Sequence, residues 1–254
     1  MKRSANAEHL IIGKHAVEEV LRVGAERLSA VFIARSKGQA SRRYARLVEE
    51  IERRGIPIEY RTGEELSAMC GTESHQSFVA QLKPKQLENL KHWLTRLSDS
   101  VNLTVLALDS ILDPHNMGAI LRAAECFGVD LVLWSKNRGC GITPVVSGAS
   151  VGASELVPLC EVANLAQSIE LLRDEGFAVV VADSSPDSSD LYGFSWSARV
   201  VLVMGGEEQG VQDLIQRRAD CRIRIPMHGQ ISSLNVSQAS AVMLAECRRN
   251  RARA

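Results

Sequence analysis

Nowhere in this 254-residue chain does a run of apolar residues approach the ~20 needed to cross a hydrocarbon core, although 45% of the residues are hydrophobic. A membrane-spanning helix is therefore excluded, and no membrane partner is expected. The opening residues, Met1-Lys-Arg-Ser-Ala-Asn-Ala-Glu-His9, carry positive charge but lack the apolar stretch of a signal peptide, so a cytoplasmic location is expected. The six cysteines (Cys70, Cys126, Cys140, Cys160, Cys221 and Cys247) form no Cys-x-x-Cys pair and have no histidine pair at zinc spacing. They are expected to be reduced thiols in the core, and no metal is expected. Net charge is missing too, since 30 basic residues balance 30 acidic ones. Neutrality argues against indiscriminate phosphate binding. It conceals a split, however: residues 1–100 hold 17 basic and 13 acidic side chains, residues 101–254 hold 13 and 17. That asymmetry points a nucleic-acid-facing surface toward the N-terminal part. There is no internal repeat and no low-complexity segment.

The length allows one large domain or two small ones. Gly13 to Val23 has a helical period, Leu28 to Ala34 reads as an apolar, β-branched strand, and Gln39 to Arg54 alternates charge at helical spacing. A strand follows at Ile56 to Tyr60. Thr62 with Glu65 has the capping-box pattern of a short helix ending at Cys70, and Ser77 to Lys83 is another strand. These elements make a first domain over residues 1–83. Pro84 breaks it, and Leu87, Leu90, Trp93, Leu94 and Leu97 mark an amphipathic helix in a linker over residues 84–100. In residues 101–254, strands are expected at Leu103 to Leu108, Asp130 to Trp134, Leu156 to Cys160, Phe177 to Ala182, Val200 to Met204 and Arg222 to Ile225. Helices are expected at Met117 to Phe127, Leu165 to Glu175, Gln212 to Arg218 and Val236 to Arg249. Apolar strands separated by helices define an α/β domain with a mostly parallel sheet covered on both faces.

In such sheets ligands collect at the carboxyl ends of the strands. Three loops there carry polar or glycine-rich text. In Asp113-Pro-His-Asn-Met-Gly-Ala-Ile-Leu-Arg122, Asn116 falls in the loop and Arg122 on the helix behind it, where both can point to one crevice and the guanidinium can hold a phosphate bidentately. A helix cap and a surface charge explain the same two residues. In Val203-Met-Gly-Gly-Glu-Glu-Gln-Gly210, glycines permit close backbone approach to a ligand, or simply a tight turn; the spacing is neither that of a dinucleotide fold nor that of a phosphate loop. In Ile225-Pro-Met-His-Gly-Gln-Ile-Ser-Ser-Leu-Asn-Val-Ser237, three small polar residues, Ser232, Ser233 and Asn235, precede a helix, and capping accounts for only one of them.

In this order the three loops resemble the motifs of the SpoU/TrmH branch of the SPOUT RNA methyltransferases, the third being the most specific. Ile12-Gly-Lys-His-Ala-Val-Glu-Glu-Val-Leu21 is similar to the opening of the substrate-binding domain of the family's large-subunit ribosomal RNA guanosine 2'-O-methyltransferases, so the resemblance covers nearly the whole chain. It implies a small N-terminal domain like ribosomal protein L30e over residues 1–83. It also implies a C-terminal α/β-knot domain over residues 101–254, whose last helix threads a deep trefoil knot. Connection rules alone lead to an ordinary open sheet. The implied activity is methyl transfer from S-adenosyl-L-methionine to the ribose 2'-hydroxyl of a guanosine in 23S ribosomal RNA, by a homodimer formed through the knot domain. Carried over position by position, Gly205, Ile225 and Leu234 fall where family members contact the cofactor, and Asn116, Arg122, Glu207, Ser233 and Asn235 line the transfer site. Arg122 is implied to engage a phosphate beside the target ribose and to assist deprotonation, a demanding role for so basic a group.

Two features depart from the pattern. Glu208 stands where relatives often have a small residue, and residues 139–154 contain no lysine or arginine, where ribosomal members often carry basic side chains. His15 and His115 sit in no metal-like cluster and read as structural or RNA-facing, and the basic tail from Arg248 to Arg253 suits a helix C-terminus as well as RNA. Alternatives at this point are the same reaction on transfer RNA and a catalytically silent RNA-binding ribosome-assembly factor. A nicotinamide dehydrogenase is more distant, because the glycine spacing is wrong.

Overall fold

The structure, a computed structural model, describes residues 10–35, 44–97 and 102–251. The chain divides into two compact units, Met1–Gln86 with Ile142–Leu156, and Leu87–Gly141 with Val157–Ala254.

In the first unit a four-stranded sheet is built from β1 (Leu10–Ile12), β2 (Leu28–Ala34), β3 (Ile58–Arg61) and β4 (Phe78–Leu82), in the order β1-β4-β2-β3. Only β2 and β3 run parallel. The two-residue side-chain period divides each strand between two faces. On one face Ile11, Val31, Ile33, Phe78 and Ala80 pack with Val17, Val20 and Leu21 of α1 (Lys14–Gly24) and Leu47 and Ile51 of α2 (Ala45–Arg53). On the other, Ile12, Phe32 and Val79 cover Leu66 and Cys70 of α3 (Gly63–Cys70). The expected capping box is present: Thr62 Oγ1 accepts from the Glu65 N–H at 3.1 Å, and Glu65 Oε2 accepts from the Thr62 N–H at 2.7 Å. That second bond holds the Glu65 carboxyl below the usual carboxylate range. The start of the expected Gln39 helix lies outside the described residues, and β3 begins at Ile58 because Gly55, with φ +68°, and Pro57 hold the chain in a turn.

The second unit opens with α4 (Leu90–Leu94), five residues in place of the longer amphipathic helix expected. It then alternates β5 (Leu103–Asp109), α5 (Pro114–Cys126) and β6 (Leu131–Ser135). The segment without basic residues forms two short helices, α6 (Pro144–Ala149) and α7 (Ala153–Leu156), and Ile142–Leu156 belongs to the first unit. Small residues let them pack closely there: a Cβ on Gly148 would lie 2.5 Å from Ile12 Cγ1. Ser147, Ser150 and Ser154 are buried and hydrogen-bond among themselves. The alternation resumes with β7 (Leu159–Val162), α8 (Leu165–Asp174), β8 (Ala178–Ala182), β9 (Ser189–Asp190), β10 (Arg199–Gly205), α9 (Asp213–Arg218), β11 (Cys221–Arg224) and α10 (Val236–Arg251). All seven strands pair in parallel, in the order β7-β6-β5-β10-β8-β11-β9. Near-continuous apolar strands such as Leu131–Ser135 and Ala178–Ala182 suit burial on both faces.

Although β11 lies near one sheet edge, α10 returns to pack on α5. Its far end is fixed by Arg251, whose guanidinium donates to Thr104 Oγ1 at 2.7 Å and to the carbonyls of Leu103 and Ser197. All six cysteines are free, but only Cys70, Cys160 and Cys247 are buried; Cys126 is exposed on the outer face of α5, and Cys140 and Cys221 are half-buried. The expectation of six core thiols is corrected accordingly. Among the described residues no helix is long and apolar enough to cross a membrane.

Candidate active site

Neighbouring strands β5 and β10 end side by side, with Asp109 opposite Gly205, and the chain leaves them toward opposite sides of the sheet. This divergence opens a crevice at their carboxyl ends. The loop after β5 enters α5 through Asp113, whose carboxylate accepts from the backbone N–H groups of His115 (3.0 Å) and Asn116 (3.4 Å), with Pro114 as first helical residue. Asn116 thus stands in the first turn of the helix, not in the loop as expected.

The loop after β10 doubles back on itself. Gly206 donates its N–H to the Asp109 carbonyl at 2.9 Å, and Gly210 donates to the Gly206 carbonyl at 2.8 Å, so Glu207, Glu208 and Gln209 form the tip of a tight turn. A Cβ on Gly205 would lie 2.3 Å from the carbonyl carbon of Gly210, and one on Gly206 would lie 2.2 Å from the Ser110 carbonyl oxygen. Both glycines are therefore required by backbone packing within the protein, a different reason from close approach to a ligand.

The third loop joins this turn through Asn235. Its Oδ1 accepts from the Ser237 N–H at 2.9 Å, capping α10, while its Nδ2 donates to Glu207 Oε1 at 2.6 Å and to Asn116 Oδ1 at 2.9 Å. Asn116 Nδ2 and the Val236 N–H also reach Glu207 Oε1, each at 3.4 Å. One carboxylate oxygen thus gathers all three loops. Capping and site-building are both done by Asn235, one with each end of its amide.

Two clefts meet at Glu207. The larger, about 280 Å³, is lined by Gly205, Ile225, Ser233 and Leu234 together with Met204 and Met243. Its charged lining residues are Asp183 and Glu207, with no lysine or arginine. The smaller, about 180 Å³, lies between the Ser110–Asn116 segment and the Gly206–Gln209 turn. Ser233 belongs to the larger cleft and makes no hydrogen bond to the Asn116–Glu207–Asn235 cluster. Arg122 lines neither cleft. It is exposed, without a hydrogen bond or ion pair to the described residues, on a stripe of α5 shared with His115 and Cys126. Six residues along a helix turn a side chain by about 240°, which sends Arg122 away from the crevice that Asn116 faces.

Asp109 has a part here that the sequence did not disclose. Fully buried, it accepts from the Gln212 N–H (2.7 Å), Gln212 Nε2 (3.0 Å) and Ser110 Oγ (3.2 Å), and it faces the Arg138 guanidinium at 3.6 Å. Arg138 in turn donates to Gln209 Oε1 at 3.1 Å, so both ends of the Glu207 turn are tied to β5. A charged residue closing an apolar strand was the available signal. Asp109→Ala strands these donors, at about 1–3 kcal/mol for buried unpaired groups. The expected outcome is a lower urea midpoint and a looser turn, seen as faster amide hydrogen exchange over residues 206–212; unchanged values of both would remove Asp109 from this role.

A family model described as SpoU rRNA Methylase family matches residues 103–245, which contain all three loops. A second, described as RNA 2'-O ribose methyltransferase substrate binding, matches residues 10–88. The chain belongs to the SpoU rRNA methylase family. It is 36% identical over 242 residues to the 23S rRNA (guanosine-2'-O-)-methyltransferase RlmB of Photobacterium profundum, covering 95% of this chain and 98% of that protein. The RlmB of Escherichia coli strain K12 is 35% identical over 245 residues, with coverage of 95% and 98%. Among solved structures, the AdoMet-bound rRNA methyltransferase of Sinorhizobium meliloti matches with a TM-score of 0.73 at 23% identity, covering 95% of this chain and 87% of that one. This last likeness concerns the fold alone.

Proposed function

We propose that the protein transfers a methyl group from S-adenosyl-L-methionine to the ribose 2'-hydroxyl of a guanosine in 23S ribosomal RNA. The observation that carries this reading is the convergence of Asn116 and Asn235 on Glu207 Oε1, where two clefts meet, in a chain that aligns almost end to end with relatives named for that reaction.

The larger cleft suits the methyl donor. Apolar walls from Met204, Ile225, Leu234 and Met243 fit an adenosine, and the Glu207 carboxylate, with no basic side chain in the lining, suits a sulfonium cation, while Asp183 is paired with Arg222 at 3.4 Å behind it. Gly205, Ile225 and Leu234 would hold the cofactor, with Ser233 at its rim. When bound, the sulfonium supplies an already activated methyl group. The protein's task is then to bring up and orient a weak nucleophile. The two asparagine amides fix Glu207 through Oε1 and leave Oε2 to accept the hydrogen bond, and then the proton, of the 2'-hydroxyl. Arg122 is best read as a phosphate ligand given to the site of a second subunit. The half-buried Ala119, Ala123, Ala241, Val242 and Ala245, on the packed helices α5 and α10, support a homodimer through this face. Threading of the last helix through a loop of the C-terminal domain, a trefoil knot, would account for the return of α10 to α5.

Residues 1–83 are proposed as the L30e-like RNA-reading domain, 84–100 as linker and 101–254 as the methyltransferase domain, in a cytoplasmic enzyme. In the first of these, half-exposed Tyr60 lies beside Arg35, whose Nε donates to the Tyr60 carbonyl at 3.3 Å; an aromatic face next to a guanidinium suits single-stranded RNA. The test is to map 2'-O-methylation in ribosomal and transfer RNA from cells with and without this gene. Loss of one ribosomal guanosine mark is expected. A missing transfer RNA mark, or no missing mark, overturns the assignment.

A further inference from the structure

The smaller cleft has the chemistry of a nucleobase site. We infer that it receives the base of the target guanosine, with Leu112 against the ring face and Glu208 accepting from the N1–H and the 2-amino group. The inference rests on the ribose-methylation reading and adds the specificity device to it.

Glu207 lies on both clefts. With the methyl donor in the larger one and the 2'-hydroxyl at Glu207, the adjoining C1' carbon and its base are directed into the smaller one. At about 180 Å³ it holds the volume of about six waters, room for a single base and not for a stack. A base enters such a site by leaving its stack, and the site must then supply an apolar face and edge partners. Leu112 supplies the face: it is 60% exposed, and it is held between buried Ile111 and the helix-capping Asp113.

The edge partner is identified by elimination. Asp113 is occupied by the His115 and Asn116 N–H groups, Glu207 by the asparagines, and Gln209 Oε1 by Arg138. Glu208, the residue by which the second motif departs from its pattern, is exposed, lines the cleft, and makes no hydrogen bond or ion pair to the described residues. A carboxylate repels phosphate, so this cleft is unsuited to the RNA backbone. It accepts through two oxygens, and guanine is the base that presents two adjacent donors, N1–H and the 2-amino group. Adenine and cytosine offer one amino group beside an acceptor. Uracil offers one N–H between two carbonyls.

The test uses the full chain, S-adenosylmethionine and a 23S ribosomal RNA fragment carrying either guanosine or inosine at the mapped target position. Inosine keeps N1–H and lacks the 2-amino group. In single-turnover transfer the wild-type protein is expected to favour guanosine by about tenfold or more, the size of one charge-assisted hydrogen bond. Glu208→Gln is expected to bring that ratio to about twofold with cofactor affinity unchanged, and Leu112→Ala to raise the RNA concentration at half-saturation while keeping the ratio. An equal guanosine-to-inosine ratio in wild type and Glu208→Gln overturns the base site while leaving ribose methylation standing. No transfer by the wild-type protein to either RNA overturns both.

Discussion

Glu207→Gln is expected to slow single-turnover methyl transfer by about 10²- to 10³-fold while changing cofactor affinity only a few-fold. The substitution keeps the volume and one carbonyl, so Asn235 Nδ2 and Asn116 Nδ2 retain an acceptor at the Oε1 position. Two things are lost. The bonds at Oε1 no longer involve an ionised acceptor, each at a cost of about 1 kcal/mol. The Oε2 position also becomes an amide N–H₂, which presents a donor to the 2'-hydroxyl in place of the acceptor that would take its proton. Only the second loss acts on the reacting atom, so it falls on kcat. Asn116→Ala and Asn235→Ala each remove one support of the carboxylate and are expected to cost about tenfold. Added to Glu207→Gln they should cost much less than that, because the three side chains act as one unit. Near-normal transfer by a folded Glu207→Gln protein would show that the hydroxyl proton goes elsewhere.

What could be read from the sequence was what is local or strongly periodic. The Thr62–Glu65 capping box and the apolar strands stand in the structure with shifts of a residue or two at most ends, because short-range hydrogen bonds and two-sided burial determine them. The three loops could be picked out for a topological reason: any parallel sheet brings its strand ends to one edge, so polar text after strands converges there. Side-chain direction was less accessible. Asp113-Pro114 is a helix-start signal, and reading it as loop made Asn116 and Arg122 appear to share a crevice, whereas a helix that already includes both turns them apart. Small residues hid α6 and α7, since Pro-Val-Val-Ser-Gly-Ala carries no amphipathic period. Asp109 was hidden differently: its place at the end of an apolar strand marks it, but its partner, Gln212, is 103 positions away.

In the proposed homodimer, mixing two inactive variants should restore activity. Arg122→Ala and Glu207→Ala are each expected to abolish transfer when alone, the first by removing the phosphate ligand and the second by removing the proton acceptor. Arg122 lines neither cleft of its own chain, and its guanidinium stands on the exposed stripe of α5. If it serves the partner's cleft, a mixed dimer has one site built from an intact Glu207 and the partner's intact arginine, while the other site carries both defects. Random pairing of equal amounts makes half the dimers mixed, each with one good site of two, so about a quarter of wild-type transfer should return. If Arg122 serves its own chain, every site in every dimer lacks one residue, and nothing returns. Co-expression ensures mixing, and sedimentation of both variants confirms that they still associate. Arg122→Lys in the first chain should complement in the same way as alanine, because an ammonium cannot reproduce the bidentate geometry of a guanidinium on a phosphate. Absence of recovery in dimers of normal mass would exclude Arg122 as a residue supplied between subunits.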